Sequence, residues 1–277
     1  MLKQRVITAL ILGPLVIWGV LSLPALYFSF LILCLVALSS WEWGHLSGIS
    51  KLPHNIIYTA AAVVTIALMI WFVQLTELQI HTLIGLSIAW WLYRIVLVVT
   101  YRSSSENSSL TKINPVTAIS NIFSIVIPFY SLIFLRAEDT SGSFLLYLLL
   151  LIWGADIFAY FAGKHLGKNK LAPHVSPGKT WEGAIGALIG TLIITFLAYS
   201  VFGVFADNLL IFFALSLVIV VISIFGDLSE SLYKRQSGLK DSGNLLPGHG
   251  GILDRVDSLI AAAPFYVAAL ILLGYLS

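Results

Sequence analysis

The residues best suited to chemistry lie in one polar run near the end of the chain, from Ser231 to Asp257. Charged residues make up only 10% of the sequence, yet seven of them fall within this run. Such a concentration of charge in an apolar chain predicts chemistry on a charged molecule at a membrane surface. The seven residues are Lys234, Arg235, Lys240, Asp241, Asp254, Arg255 and Asp257.

Aspartates before and within this run indicate a metal site. Asp227 is expected at the end of one helix, and Asp254 at the start of the next. Asp254 and Asp257 are three residues apart and therefore share a helix face. Carboxylates without cysteine favour Mg²⁺ or Mn²⁺, which neutralise phosphates during phosphoryl or nucleotidyl transfer. The alternative is that acids in a first helical turn are simply favoured by the helix dipole.

The same run also contains basic residues and glycines that are suited to binding phosphate. Lys234, Arg235, Lys240 and Arg255 supply cations that suit phosphates, although the first two are also typical of residues that snorkel from a helix end. The run 248–251 reads Gly-His-Gly-Gly, which includes His249, Gly250 and Gly251. Glycines let backbone N–H groups approach a phosphate closely.

A second polar segment, residues 174–183, offers another set of phosphate-suited donors. Ser176, Lys179 and Thr180 carry hydroxyl and ammonium groups. The Gly-Lys-Thr sequence is not a P-loop, because the earlier glycine of that motif and the preceding strand are missing. A second interpretation, compatible with the first, is a helix N-cap in which Ser or Thr precedes Glu182.

Two further carboxylates are predicted inside helices. Asp156 lies about 12 Å from Lys164 along its helix, where an ionisable group costs about 2.5–3.5 kcal/mol and needs a partner or a wet cavity. We favour a functional role over a structural hydrogen bond. For Glu42, between two tryptophans, we favour an interfacial anchor with a snorkelling carboxylate over a functional role.

The elements that must position these residues are membrane-spanning helices. The hydrophobic fraction is 59% and the mean hydropathy is +0.97, which excludes a soluble domain of this length. We therefore predict an all-α, polytopic membrane bundle and a single domain, 1–277. Within it, 1–140 serves packing, lipid access and dimer contact, and 141–277 is catalytic. Apolar stretches of about 20 residues predict about nine spans: 6–22, 25–46, 56–74, 80–99, 116–135, 144–164, 184–204, 208–230 and 258–276.

The distribution of basic residues predicts the orientation. With nine spans and a cytoplasmic N-terminus, only Arg136 of the 15 Lys and Arg residues falls on the outer side. Basic residues are enriched in cytoplasmic loops, so both polar segments are expected to face the cytoplasm and the C-terminus to lie outside.

The polar run also resembles the signature of a known family. It reads Ser-x-x-Lys-Arg-x(4)-Lys-Asp-x-Gly-x-x-Leu-Pro-x-His-Gly-Gly-x-x-Asp-Arg-x-Asp, which resembles the phosphatidate cytidylyltransferases (CDP-diacylglycerol synthases) over its 27 positions. The Ser-Pro-Gly-Lys-Thr-Trp-Glu-Gly segment, the Asp156 helix and the opening Leu-Lys-Gln-Arg-Val are also similar, so the likeness extends along the chain.

The resemblance implies an enzyme of the bacterial inner membrane that converts phosphatidate and CTP to CDP-diacylglycerol and pyrophosphate. It implies Mg²⁺ held by Asp227 and Asp254, a potassium ion beside it, and a homodimer in contact with membrane lipid; nucleic acid is not an expected partner. The expected catalytic residues are Lys234, Arg235, Lys240, Asp241, His249, Arg255 and Asp257. The expected substrate-binding residues are Asp156, Ser176, Lys179, Thr180, Glu182, Gly250 and Gly251.

Two other functions remain open from the residues alone. One is a transporter or channel with Asp156 and Asp227 on its path. However, neither half of the chain repeats the other, which disfavours an inverted-repeat transporter. The other is a different CTP-dependent lipid transferase or kinase. The Asp-Gly-x-x-Ala-Arg pattern of CDP-alcohol phosphotransferases is absent from the sequence.

Overall fold

The protein is a bundle of long apolar helices. The computed structural model describes residues 2–49, 51–71, 76–101, 115–202, 209–243, 245 and 250–276. Within these ranges the chain forms nine helices. They are α1 (Leu2–Ser22), α2 (Ala25–Leu46), α3 (Leu52–Trp71), α4 (Glu77–Thr100), α5 (Pro115–Glu138), α6 (Ser143–Leu166), α7 (Trp181–Phe202), α8 (Leu209–Gln236) and α9 (Leu253–Leu272).

Each helix coincides with one predicted span, which confirms the all-α class. Helices satisfy their own backbone hydrogen bonds, so they are stable in hydrocarbon. Seven of the helices, α2, α3, α4 and α6 to α9, are long and apolar enough to cross a membrane. The main difference concerns α8, which was expected to end near residue 230 but continues to Gln236. Asp227 is therefore inside a helix rather than at its end, and this part of the prediction was wrong.

A small sheet interrupts the helices between α6 and α7. β1 (Lys170–Ala172) and β2 (Ser176–Thr180) pair antiparallel, with Lys170 opposite Thr180 and Ala172 opposite Ser176. Most of the second polar segment therefore belongs to a β-hairpin, which leads directly into α7. This geometry holds the hairpin at one end of the bundle.

Helix α9 is the centre of the bundle. It packs against α8, α5, α4 and α2, and it is the most buried of the seven candidate spans. Gly226 lets α8 approach α9 closely, because a Cβ there would lie 2.6 Å from the Cβ of Ala261 and 2.8 Å from the carbonyl oxygen of Asp257. The acids of α8 and α9 consequently face each other across a short gap.

Candidate active site

Those predicted site residues that the structure describes gather at one end of the bundle, which we call the site end. It is formed by the C-terminal ends of α2, α6 and α8, the N-terminal ends of α7 and α9, and the β-hairpin. All three ion pairs found among the described residues lie here. The structure therefore concentrates charge where the sequence predicted it.

The first ion pair joins the hairpin to α8. Lys179 of β2 lies with its Nζ 2.6 Å from an Oδ of Asp227, and the two side chains are 27% and 32% exposed. The Nε of Arg235 donates to the carbonyl oxygen of Val175 at 3.2 Å, so a second contact fixes the hairpin against the end of α8. The two polar segments of the sequence are therefore in contact. Because Lys179 and Asp227 both remain partly exposed, each is able to exchange its partner for a ligand.

The other two ion pairs share one lysine. The Nζ of Lys234 lies 2.7 Å from Asp254 and 3.3 Å from Glu230, which is one helical turn before it on α8. Asp257 of α9 lies beside Glu230. The side chains of Lys234, Glu230 and Asp254 are 10%, 1% and 8% exposed. These groups are much less accessible than Lys179 and Asp227, and they join α8 to α9.

Asp254 also organises the turn that precedes α9. Its Oδ2 accepts hydrogen bonds from the backbone N–H groups of Ser242 at 3.0 Å and Gly251 at 2.8 Å. Gly250 has φ of +83°, a conformation that favours glycine, and a Cβ there would lie 2.6 Å from the same Oδ2. Glycine is thus required for the turn to fold onto this carboxylate. His249 lies outside the described residues.

Glu42 of α2 lies at the other side of the same turn, and our interpretation of it was wrong. Its residue exposure is 2%, so it is not a snorkelling anchor. Oε1 accepts from the backbone N–H of Ile252 at 3.0 Å, and Oε2 accepts from the N–H of Leu253 at 2.8 Å and the Oγ of Ser242 at 2.9 Å. Glu42 therefore satisfies the first N–H groups of α9, which have no partner within the helix.

A cavity of about 350 Å³ opens between α6, the hairpin and α7. Asp156, which was expected to need a partner or a wet cavity, lines this cavity. It lies within electrostatic reach of Lys179, Asp227 and Arg255. Small residues form much of the remaining wall. The lining includes Ala155, Asp156, Ala159, Gly163, Lys164, Lys179, Thr180, Gly183, Ala184 and Ala187.

Two further residues of the second polar segment, Thr180 and Glu182, have structural partners. The Oγ1 of Thr180 accepts from the N–H of Gly183 at 3.1 Å, which confirms the predicted N-cap of α7. Glu182 is exposed and accepts from the side-chain amide of Asn169 at 2.8 Å. Ser176 is half-buried in β2. Glu182 therefore steadies the base of the hairpin in this structure.

The remaining residues of the polar run differ in their exposure. Lys240, Asp241 and Arg255 are exposed, whereas Asp257 is buried. Asp241 lies near Gly250, since a Cβ on that glycine would be 3.6 Å from the Cβ of Asp241. The structure thus places Asp241 against the turn before α9.

Arg94 of α4 is a residue that the sequence analysis missed. Its side chain is fully buried, with the guanidinium carbon 4.5 to 4.9 Å from the ring centroids of Trp43, Trp91 and Tyr233. Its Nε donates to the Oγ of Ser229 at 2.7 Å, one residue before Glu230. The available signal was a basic residue within an apolar stretch, three and four residues after Trp91 and Trp90. A buried arginine of this kind fixes the facing turn of α8.

Asp227 and Asp254 are carboxylates of the kind that could hold a divalent cation together with a phosphate ligand. Among the described residues, no three acidic, His or Cys side chains form a metal-binding group. Mg²⁺ commonly uses one or two carboxylates together with substrate phosphates and water. Asp227 is the accessible carboxylate, and it already holds the cationic Nζ of Lys179. Asp254 accepts three hydrogen bonds, so it is the more constrained of the two predicted ligands.

Comparison with known proteins points to one family throughout. Residues 3–273 match the sequence model of the cytidylyltransferase family. The chain is 41% identical over 276 residues to a phosphatidate cytidylyltransferase of Pseudomonas aeruginosa, covering 99% of each chain. It is 38% identical to a protein of the same name from Haemophilus influenzae, over 96% of this chain and 97% of the relative. The Bacillus subtilis phosphatidate cytidylyltransferase is 33% identical over 78% of this chain and 88% of its own length.

Proposed function

The chain belongs to the cytidylyltransferase family, and we propose that it transfers the cytidylyl group of CTP to phosphatidate, which forms CDP-diacylglycerol and releases pyrophosphate. The observation that carries this proposal is the accessible Lys179–Asp227 pair beside the cavity. An ammonium and a carboxylate that are both partly exposed suit a ligand that carries phosphates and a cation.

The cavity between α6 and α7 suits the lipid substrate. One part of its wall is charged, with Asp156, Lys164 and Lys179, and most of the rest is alanine and glycine, together with the side chains of Tyr160, Leu171, Thr180 and Ile224. Its volume lies within the usual range for small-molecule sites. A molecule with a phosphate at one end and apolar chains at the other matches this division. We place the phosphate of phosphatidate near Lys179.

The proposed reaction depends mainly on how the two substrates are positioned relative to each other. A phosphate oxygen of phosphatidate forms a bond to the α-phosphorus of CTP, while the bond from that phosphorus to the bridging oxygen of the β-phosphate breaks. The electron pair leaves with pyrophosphate. A phosphate is already ionised near pH 7, so no strong general base is needed. Lys179 and Lys234 supply fixed positive charge.

We propose Mg²⁺ as the cofactor, with Asp227 and Asp254 as its protein ligands. When bound, the ion would neutralise phosphate charge and hold the triphosphate in line. The carboxylates keep their orientation through contacts within the chain: the Oγ of Ser231 donates to Asp227 at 3.2 Å, and Lys234 donates to Asp254. The neighbouring potassium ion and the homodimer stay predictions.

We also propose that the protein lies in the inner membrane of a bacterium, with the site end facing the cytoplasm and the C-terminus outside. Support comes from seven helices suited to spanning, from bacterial relatives, and from the biased distribution of basic residues. A reporter fused after Ser277 should be active only on the outer side. Activity only in the cytoplasm would contradict the nine-span arrangement.

The activity is tested with purified protein, phosphatidate, Mg²⁺ and CTP labelled on either its α- or its γ-phosphorus. We expect the α-label in a lipid product and the γ-label in pyrophosphate, in equal amounts. Diacylglycerol in place of phosphatidate is the control and should give no product. Lipid that carries the γ-label would instead indicate a CTP-dependent kinase and would overturn the proposed reaction.

A further inference from the structure

Glu42 and Asp254 together hold both ends of the turn that precedes α9. Ser242, at the start of the turn, donates its side-chain hydroxyl to Glu42 and its backbone N–H to Asp254. At the other end, the N–H of Gly251 binds Asp254, and the N–H groups of Ile252 and Leu253 bind Glu42. We call these two carboxylates and their five donors the carboxylate clasp.

The two carboxylates of the clasp come from different parts of the chain. Asp254 is local to the turn, whereas Glu42 is contributed by α2 and is more than 200 residues away in sequence. Asp254 also binds Lys234, but the ion pairs found in the described part of the chain do not include Glu42. The charge of Glu42 is therefore stabilised by the N–H groups and the dipole at the start of α9.

Glycines around Glu42 show how closely the turn is packed against it. A Cβ on Gly243 would lie 2.5 Å from Oε1 of Glu42, and a Cβ on Gly251 would collide with Oε2 and with the Oγ of Ser242. Real Cβ atoms do not approach heavy atoms this closely, so side chains at either position would displace the carboxylate. Gly243 and Gly251 thus pack directly against the carboxylate of Glu42.

We propose that Glu42 is a positioning residue of the reaction: by closing the carboxylate clasp, it sets the orientation of Asp254 and of the glycine N–H groups at the start of α9. This inference rests on the proposed function, since it assigns Glu42 a role in the same site. Glu42 does not line the cavity between α6 and α7, so its action is exerted through the turn.

The first variant is Glu42→Gln, with Glu77→Gln as the matched control. Gln keeps the length of the side chain but replaces one acceptor oxygen with an NH₂ donor. In either orientation this donor faces a backbone N–H, that of Ile252 or that of Leu253. We expect kcat to fall at least tenfold while the KM for phosphatidate changes less than twofold, because the cavity is left intact. Glu77 is exposed at the start of α4, so its variant should match the parent protein.

A double-mutant cycle with Ser242→Ala tests the contact itself. Alanine keeps the backbone N–H that binds Asp254 but removes the hydroxyl that binds Glu42. We expect kcat to fall about threefold in this variant, and the double variant to be no worse than Glu42→Gln alone. Independent, multiplicative losses would show that the two groups do not act through one contact and would overturn the proposal.

The outcomes separate this inference from the proposed function. If the parent protein makes no labelled lipid, the proposed function fails. If Glu42→Gln keeps the parent kcat while Asp254→Asn is inactive, the function stands and the role of Glu42 is overturned. If Glu42→Gln does not fold, Ser242→Ala decides: reduced kcat at unchanged KM for phosphatidate supports the clasp, and parent-like kcat overturns it.

Discussion

The two halves of the chain contribute charged residues of different kinds to the site end. From residues 1–140 come Glu42 and Arg94, which are 2% and 0% exposed and do not line the cavity. From residues 141–277 come Lys179 and Asp227, whose side chains are 27% and 32% exposed beside it. Glu42 and Arg94 of the N-terminal half are thus enclosed by protein. The C-terminal half supplies charges that can meet a ligand, in addition to its own buried ion pairs.

This difference indicates that the charged residues of the N-terminal half position the site, whereas those of the C-terminal half take part in the chemistry. Burying a charge is unfavourable unless hydrogen bonds or neighbouring charges compensate for it, and Glu42 and Arg94 are both engaged in this way. An enclosed group cannot exchange partners easily, whereas Lys179 and Asp227 can. We therefore expect variants of the C-terminal half to remove chemistry, and variants of the N-terminal half to act through stability or positioning.

The largest effect is expected for the two proposed metal ligands. Asp227→Asn and Asp254→Asn should each lower kcat by about 10³-fold or more, because each removes a carboxylate charge that would hold the proposed Mg²⁺, and the bound ion would neutralise the transferring phosphates. The protein should still fold, since asparagine has the same shape. Initial rates of labelled lipid formation, together with thermal melting in detergent, measure both quantities. Near-parent turnover in either variant would remove that residue from the metal site.

The second-largest effect on activity is expected for Lys179. Lys179→Met removes the ammonium that pairs with Asp227 and should lower kcat/KM by about 10²-fold, the loss typical of one preorganised donor. Lys164→Met is the matched control, because Lys164 also lines the cavity but lies over the ring of Tyr160, 5.6 Å from its centroid. Equal losses in both variants would mean that the cavity needs only general positive charge.

A smaller effect is expected for Arg94, the buried cation of the N-terminal half. Arg94→Lys keeps the charge but loses the planar group that stacks on three rings and binds Ser229 and Ser124. We expect a lower melting temperature and a fall in kcat of about tenfold, since Ser229 lies between Asp227 and Glu230. Unchanged melting and unchanged kcat would refute the positioning role of Arg94.

The helices were largely predictable from the sequence, because spanning segments are determined by local composition. The predicted 25–46 agrees with α2 at both ends, and the other boundaries differ by a few residues. The error at the end of α8 has a physical cause. Its last turns, from Glu230 to Gln236, are polar, yet they remain helical because Lys234 binds Glu230 and Asp254. Hydropathy alone cannot reveal a helix end that is stabilised by buried ion pairs.

The site was predictable only where its residues are close in sequence. The polar run and the segment 174–183 were recognised because each contains several charged or hydroxyl groups together. Glu42 was misinterpreted, and Arg94 was missed, because each is a single charged residue in an apolar helix. Their partners are 200 and 135 residues away in the chain, so only the folded structure identifies them.

The smallest effect on activity is expected for Arg136, a buried charge of the N-terminal half at the opposite end of the bundle. Its guanidinium donates to the carbonyl oxygens of Val20, Leu23, Asp139 and Thr140 at 2.8 to 3.2 Å, which joins the end of α1 to the end of α5. These hydrogen bonds give a structural reason for the presence of Arg136, the one basic residue that was predicted to lie on the outer side.

Arg136→Met should therefore lower the unfolding free energy by about 2 kcal/mol or more, because it leaves several carbonyl groups without their donor. It should leave kcat of the folded protein within twofold, since none of these carbonyl groups belongs to the site end. Thermal melting and initial rates on the same preparation measure the two quantities. A tenfold loss of kcat at full folding would show that buried charges of the N-terminal half influence catalysis regardless of their distance, and the comparison between the halves would then fail.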